Sequence, residues 1–131
     1  MELVPGMEAQ LTVTVTEDMC ARVVGSGSLD VLATPMLIAF MEKAACQAIA
    51  PALGEGETSV GTRMNMDHLA PTPVGATVTV QARLTARDRR ALTFSVEASD
   101  EAGCIGRGEH NRFLVQAGPF MEKASARKTS A

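Results

Sequence analysis

Residues 34–52 read TPMLIAFMEKAACQAIAPA, and this stretch decides the fold. A helix built from it is apolar on nearly every side, and such helices lie inside domains rather than on their surfaces. Thr34 is a suitable N-cap, and Pro35 fits the first turn, where no intrahelical donor is needed. Pro51 and Gly54 mark the end of the helix. The stretch therefore predicts one long interior helix that other elements must cover.

One carboxylate, Glu42, interrupts this apolar helix. Its same-face neighbours at helical spacing are Ile38, Ala39, Ala45 and Cys46. Such surroundings desolvate a carboxylate and raise its pKa, and groups of that kind are candidates for acid/base chemistry. A partly exposed position beside Lys43 at the helix edge is the alternative. From the helix alone, the two interpretations are equally good.

Length and charge limit the class of protein. The chain has 131 residues, which predicts one domain with a small core that gains from association with a second copy. The net charge is −3 with no basic block before the tail, so we expect no nucleic-acid partner. No apolar run reaches the roughly 18 residues of a membrane span. Residues 1–10 also lack the pattern of a secretory signal, so no membrane association is expected.

Cysteine and methionine usage points to an ordinary intracellular domain. Three cysteines, at Cys20, Cys46 and Cys104, are far apart and odd in number, and they form neither a disulfide framework nor a metal motif. A reducing cytoplasm is the simplest location, and we expect no metal. The chain has eight Met but no Trp or Tyr, so we expect methionines to help fill the core.

Five segments alternate apolar and polar residues as strands do. These segments are residues 9–16, 58–67, 76–86, 92–98 and 104–116. Residues 19–24 are expected to extend the first strand, and residues 25–28 form a flexible link into the helix. Short turns separate the last four strands, which favours antiparallel hairpins. The sequence thus predicts an α+β domain at residues 1–117, with a curved antiparallel sheet wrapped around one long central helix.

The last residues and the second strand carry two further predictions. Residues 118–131 form a polar tail, expected as a short helix followed by a disordered terminus. In the second strand, Val60, Met64 and Met66 are expected on one face, and parity puts His68 on that face as well.

Several short motifs together carry a resemblance to a known family. They are Ala33-Thr34, Glu42 eight residues on, Val60-Gly61-Thr62, HLAPTPVG at residues 68–75 and GEHNRF at residues 108–113. With the order of elements, they resemble the fluoroacetyl-CoA thioesterase-like family of the hotdog fold, over residues 11–115. The resemblance implies a homodimer or a dimer of dimers, with sites at the subunit interface that cleave an acyl-CoA thioester. It implies no cofactor, because coenzyme A is part of the substrate.

The resemblance also implies roles for particular residues. Thr34, Glu42 and His68 match the catalytic threonine, carboxylate and histidine of the family. Gly61 and Arg112 match positions near the bound thioester. Members selective for the fluorinated substrate place bulky aromatics before the threonine, whereas residues 25–33 contain none. A more open pocket for another short or medium acyl-CoA is therefore expected.

Thioester hydrolysis gives each of these residue types something to do. Glu42 can attack the carbonyl or activate a water, and His68 titrates near neutrality and can exchange protons. Thr34 can orient either group or act as the nucleophile, and Gly61 can hold the oxyanion through its backbone. Eight residues of helix separate Thr34 from Glu42 by about 12 Å. One reaction centre therefore needs a second subunit or a bent helix start.

Other interpretations remain open for these residues. Thr34 alone is explained as an N-cap, and His68 alone as a strand-end histidine. A hotdog hydratase or dehydratase is a rival function, but Asp67 beside His68 should point to the opposite face of the strand. A non-catalytic acyl-CoA-binding module is another. His110 shares its face with Arg112, and a structural or solvent-facing role is expected for it.

Two groups of basic residues can either bind the phosphates of coenzyme A or be solvent-exposed surface residues. The turn with Arg87, Arg89 and Arg90 can meet the phosphates of coenzyme A or form a solvated hairpin tip. The tail cations Lys123, Arg127 and Lys128 present the same choice.

Overall fold

The structure, a computed structural model, describes residues 1–128. Its strands are β1 (Glu8–Thr14), β2 (Glu57–His68), β3 (Thr77–Asp88), β4 (Ala91–Asp100) and β5 (Gly103–Gln116). Its α-helices are α1 (Ala21–Val24), α2 (Thr34–Ile49) and α3 (Ala117–Ala126). The five predicted strands and the long helix are thus confirmed, although α2 ends at Ile49 and continues only as a short 3-10 turn at Ala50–Ala52.

The strands form a single antiparallel sheet in the order β1-β3-β4-β5-β2, so β1 and β2 lie at its two edges. The predicted charged turn joins β3 to β4 through Arg89 and Arg90, and Arg89 has a φ of 55°. This left-handed conformation is uncommon for a residue with a side chain and marks a tight hairpin turn. The α+β hotdog architecture, a curved sheet around one helix, is confirmed.

The core lies between α2 and the sheet. The buried side chains of the helix are Leu37, Met41, Ala44, Ala45, Ala48 and Ile49. They pack in one cluster with inward side chains of β3 and β4, including Val80, Leu84 and Phe94. Fully burying a side chain such as Leu contributes roughly 1.5–3 kcal/mol. The three alanines are small enough for the helix backbone to approach the strands closely.

The helix is not covered on all sides within one chain. A stripe at helical spacing is exposed and is defined by Pro35, Ala39, Lys43, Cys46 and Gln47. The expectation that the whole helix is interior is therefore wrong for a single chain. The sheet covers one face, and the opposite face, which carries only one charge, is left open to solvent or to another molecule.

The segment between β1 and α2 differs from the prediction. Residues 19–24 do not extend the strand, because the chain turns through a 3-10 helix at Glu17–Met19 and then through α1. Gly25, in the left-handed conformation at a φ of 91°, ends α1. Arg22 then pairs with Asp30 at 2.7 Å and with Glu17 at 2.9 Å. These contacts hold the link in a compact loop ahead of α2.

A β-bulge divides β2. Gly61 pairs with Arg112, but the next pairing is Arg63 with Asn111, so the register shifts by one residue. Because of this shift, the side chains of β2 up to Gly61 lie on the faces of the sheet opposite to those that simple alternation with the later residues predicts. Val60 pairs with Phe113, on the opposite face of the sheet from Met64. The prediction that Val60 and Met64 share a face is therefore wrong.

The C-terminal helix α3 begins at Ala117 and confirms the predicted short helix. The predicted disordered terminus falls largely on residues 129–131, outside the described residues. Between residues 1 and 128, no helix is long and apolar enough to cross a membrane.

Candidate active site

The first residue of α2 meets the last residue of β2. Thr34 Oγ1 lies 2.7 Å from His68 Nδ1, a hydrogen-bond distance. Thr34 is not the N-cap that was predicted, since Ala33 occupies that position and no side chain caps the helix. The hydroxyl therefore remains available to the imidazole. A hydroxyl bonded to an imidazole is the pairing by which a base activates a nucleophile.

The environment of His68 favours its neutral form. Burial lowers the pKa of His68, while the backbone of Ala70 acts in the opposite direction. Its Nε2 atom is buried and has no hydrogen-bond partner among the described residues. Buried polar atoms are normally paired, so an unpaired nitrogen beside a pocket is suited to bind something else. A neutral imidazole can accept a proton.

A surface pocket opens beside this pair. It has a volume of about 320 Å³, and small or aliphatic side chains line most of it, including Ala21, Ser26 and Leu69. Thr34 and His68 also contribute to its wall. None of the lining residues is Phe, Tyr or Trp, and residues 25–33 likewise contain none of these.

The other three predicted site residues form a second group. Arg112 Nη1 lies 3.7 Å from Glu42 Oε2, and Arg112 is 7% exposed. A Cβ on Gly61 would lie 2.8 Å from the same carboxylate oxygen and 3.3 Å from Arg112 Nη1. A glycine is therefore required for the carboxylate to reach the strand so closely.

Glu42 is less buried than the first interpretation of its sequence predicted. Its side chain is 43% exposed in the single chain, because it borders the exposed stripe of α2. The interpretation that this carboxylate is fully desolvated is wrong for one chain. The alternative interpretation, a partly exposed position at the helix edge, describes it better.

Among the described residues, the two groups do not touch. Eight residues of helix separate Thr34 from Glu42, about 12 Å along the axis. The structure thus brings Thr34 to His68, and Glu42 to Gly61 and Arg112. It does not bring Glu42 to His68 within one chain.

Two residues hold Arg112: Ser59, which the sequence did not single out, and His110, for which a structural or solvent-facing role was expected and which is buried. Ser59 accepts a hydrogen bond from Arg112 Nε at 2.8 Å through its hydroxyl, and another from Nη2 at 3.0 Å through its carbonyl. His110, 1% exposed, lies 3.2 Å from Arg112 Nη1. The register of β2 against β5 determines these contacts. The bulge beside Gly61 sets that register, and a glycine inside a predicted strand is the sequence signal that could have indicated it.

The basic turn is partly occupied by structural contacts. Arg87 donates to the Leu3 and Arg89 carbonyls, each at 2.8 Å. Arg90 stacks over the Phe113 ring at 5.1 Å from its centroid. Arg87 therefore serves the hairpin itself.

A five-stranded antiparallel sheet around one long helix places the chain in the hotdog fold class. The family model of the fluoroacetyl-CoA-specific thioesterase FlK matches residues 15–118. The chain belongs to the fluoroacetyl-CoA-specific thioesterase family, and the predicted enzyme class, a thioesterase, is confirmed.

Relatives agree in sequence and in structure. The fluoroacetyl-CoA thioesterase of Streptantibioticus cattleyicolor is 40% identical over 94 residues, which cover 72% of this chain and 68% of the relative. The structure of the fluoroacetyl-CoA thioesterase FlK superposes with a TM-score of 0.92 at 30% identity, covering 98% of this chain and 100% of that chain. A threonine-to-serine mutant of FlK in complex with acetyl-CoA gives a TM-score of 0.91 at 31% identity, with coverage of 97% and 100%.

Proposed function

We propose that the chain hydrolyses a short or medium acyl-CoA thioester to the free acid and coenzyme A, using Thr34, Glu42 and His68 at an interface between two subunits. The observation that carries the proposal is the 2.7 Å contact of Thr34 Oγ1 with His68 Nδ1 in a member of this family. In the net reaction the C–S bond breaks, the carbonyl carbon gains a water oxygen, and the sulfur gains a proton. No cofactor takes part, since coenzyme A is the leaving group.

His68 moves protons in this proposal. Its pKa is lowered by burial, so the imidazole is neutral near pH 7 and accepts the Thr34 hydroxyl proton. It later returns a proton to the leaving sulfur. If the Thr34 oxygen attacks the carbonyl carbon, an acyl-threonine forms as the C–S bond breaks, and a water then hydrolyses it to the free acid and restores the hydroxyl. If a water that Thr34 orients attacks instead, His68 accepts the proton of that water.

Glu42 and Arg112 act on the carbonyl side of the reaction. Arg112 carries a positive charge with very little exposure, and Gly61 leaves space beside it. A buried cation stabilises negative charge that develops on the thioester oxygen, and the lack of a side chain at Gly61 lets the thioester approach closely. Glu42, next to Arg112, activates the attacking water or attacks the carbonyl itself.

A second copy of the chain is proposed to join the two groups. β2 is an edge strand, and the exposed stripe of α2 runs alongside Glu42. Unpaired edges and uncovered apolar faces favour association. A homodimer that covers this stripe desolvates Glu42 and presents it to His68 of the opposite subunit. A dimer of dimers is compatible with the same contact.

The size of the pocket beside Thr34 and His68 limits the length of the acyl group that can bind. Its small lining side chains, such as Ala21 and Ser26, leave about 320 Å³. That space suits a short or medium acyl chain. The relative from Streptantibioticus cattleyicolor is a fluoroacetyl-CoA thioesterase, but the absence of aromatics from the wall supports wider acceptance here.

The test is a thiol-release assay over a panel of acyl-CoAs from two to twelve carbons, with fluoroacetyl-CoA included. We expect turnover that falls at least about a hundredfold in Thr34→Ala, Glu42→Gln and His68→Ala, while Thr34→Ser retains most of it. Wild-type turnover in Glu42→Gln or His68→Ala would refute the proposed site. A change in double-bond absorbance without thiol release would instead identify a hydratase, and tight binding without release would identify a binding module.

A further inference from the structure

His110 lies beneath the Glu42–Arg112 pair, on the face of β5 that carries Arg112. It is one of only two histidines in the chain and is 1% exposed. Phe94, on β4, packs against it with ring centroids 6.2 Å apart. A histidine this deeply buried needs partners for both nitrogens.

The partners of His110 determine which nitrogen carries its proton. His110 Nδ1 lies 2.7 Å from the Arg63 carbonyl at the β2 bulge, and a carbonyl only accepts. Nδ1 is therefore protonated. His110 Nε2 lies 3.2 Å from Arg112 Nη1, and a guanidinium only donates. Nε2 therefore accepts, and the imidazole is neutral.

The charges around His110 favour the same form. Burial has the largest effect and lowers the pKa of His110, and the positive charge of Arg112 lowers it further. The Arg63 carbonyl on β2 and the Glu42 carboxylate on α2 act in the opposite direction. A protonated Nε2 would direct a second N–H at Arg112 and would remove the acceptor.

We propose that His110, as a neutral imidazole protonated at Nδ1, is a positioning residue that orients the guanidinium of Arg112 toward the Glu42 carboxylate. Ser59 accepts hydrogen bonds from Nε and Nη2 of Arg112, and His110 accepts one from Nη1. The guanidinium thus has a single orientation, and a remaining Nη1 proton faces Glu42 Oε2 at 3.7 Å. The inference rests on the proposed function, in which Arg112 binds the thioester.

The tautomer can be measured without any assay of activity. A long-range nitrogen–proton NMR spectrum of the labelled wild-type protein contains only two imidazoles, and His68→Asn assigns them. We expect His110 to be neutral with the proton on Nδ1 from pH 8 to below pH 6.5. A charged ring near neutrality, or a proton on Nε2, would overturn the proposal.

Kinetics with a matched pair of variants then tests positioning. His110→Gln keeps an acceptor near the place of Nε2, whereas His110→Met has similar length and no acceptor. We expect kcat/KM for the best acyl-CoA to fall about ten- to hundredfold in His110→Met, mainly through kcat, and to recover largely in His110→Gln. In an Arg112→Met background, His110→Met should add no further effect, because its partner is absent.

Equal losses in the Gln and Met variants, or additive losses with Arg112→Met, would refute the inference. Circular dichroism and the denaturation midpoint establish that each variant is folded. If no acyl-CoA is turned over, the proposed function fails while the NMR result still tests the tautomer. The two failures are therefore distinguishable.

Discussion

At the scale of single residues, Gly61 shows how one missing side chain shapes the site. The Glu42 carboxylate and the Arg112 guanidinium both approach the space that a Cβ would take. Neither atom is backbone, and Glu42 lies at the end of a flexible side chain. A substitution therefore displaces the carboxylate more readily than it disturbs the fold.

Gly61→Ala is predicted to lose activity while keeping its stability. The new methyl pushes Glu42 Oε2 from a position 2.8 Å away, so the carboxylate leaves Arg112. We expect kcat/KM to fall at least about tenfold with less than about 1 kcal/mol of change in the free energy of unfolding. Gly54→Ala is the control, because its Cβ would make ordinary contact at 3.9 Å. Activity equal to that of the control would exclude a role for this close approach.

The helix pattern singled out Glu42 as a candidate, and the resemblance to the family added Thr34 and His68. The 2.7 Å contact of Thr34 with His68 joins residues 34 positions apart. Chain packing creates that contact, and no local pattern encodes it. The exposure of Glu42 stayed open between two interpretations for the same reason, since helical periodicity shows apolar neighbours but not which face meets the sheet.

At the scale of elements, the β2–β5 pair determines where the polar site residues lie. The bulge after Gly61 puts Ser59, Gly61 and Met64 on the face of α2, although simple alternation separates Gly61 from Met64. Strand propensity and alternation predicted both strands. They could not predict the bulge, because it depends on which residues pair across the strands.

Gly108→Ala is predicted to damage this strand pair. A Cβ there would overlap the Asn65 carbonyl oxygen and lie 2.5 Å from Met66 Cα, and both groups belong to the backbone of β2. We expect a loss of more than about 3 kcal/mol in the free energy of unfolding, measured by urea denaturation. Gly118→Ala in α3 is the control, because nothing lies within 4 Å of its Cβ. A Gly108→Ala protein as stable as that control would contradict the close packing of β2 and β5.

At the scale of the whole molecule, both histidines link folding to pH. Burial lowers the pKa of His68 and of His110 in the folded state. The unfolded chain therefore binds more protons between those lowered values and about 6.5, the ordinary pKa of histidine. Their contribution to stability is complete above pH 6.5 and is lost as pH falls through that window.

We predict that the urea concentration at the unfolding midpoint is lower at pH 5.5 than at pH 7.5. The double variant His68→Asn/His110→Gln should lose most of this dependence, because neither replacement titrates there. Its stability at pH 7.5 serves as the reference for the effect of substitution itself. An equal pH dependence in the two proteins would assign the effect to other groups.

Subunit exchange tests the proposed interface. If one subunit supplies Glu42 and the other His68, refolding a mixture of Glu42→Gln and His68→Ala chains creates one intact site in each mixed dimer. Half of the dimers are mixed, so we expect about a quarter of wild-type activity. Each variant refolded alone is the control. No recovery, or a monomer of 13.8 kDa by sedimentation, would contradict a shared site.

The loop ahead of α2 has a consequence for how such enzymes diversify. Residues 22–30 are exposed, and the ion pairs of Arg22, with Asp30 inside the loop and with Glu17 just before it, contribute little to folding. This loop reaches the pocket wall at Ser26 without entering the core. Substitutions there therefore cost the fold little, and under the proposed function they would change which acyl group is accepted while the Thr34–His68 contact stays intact.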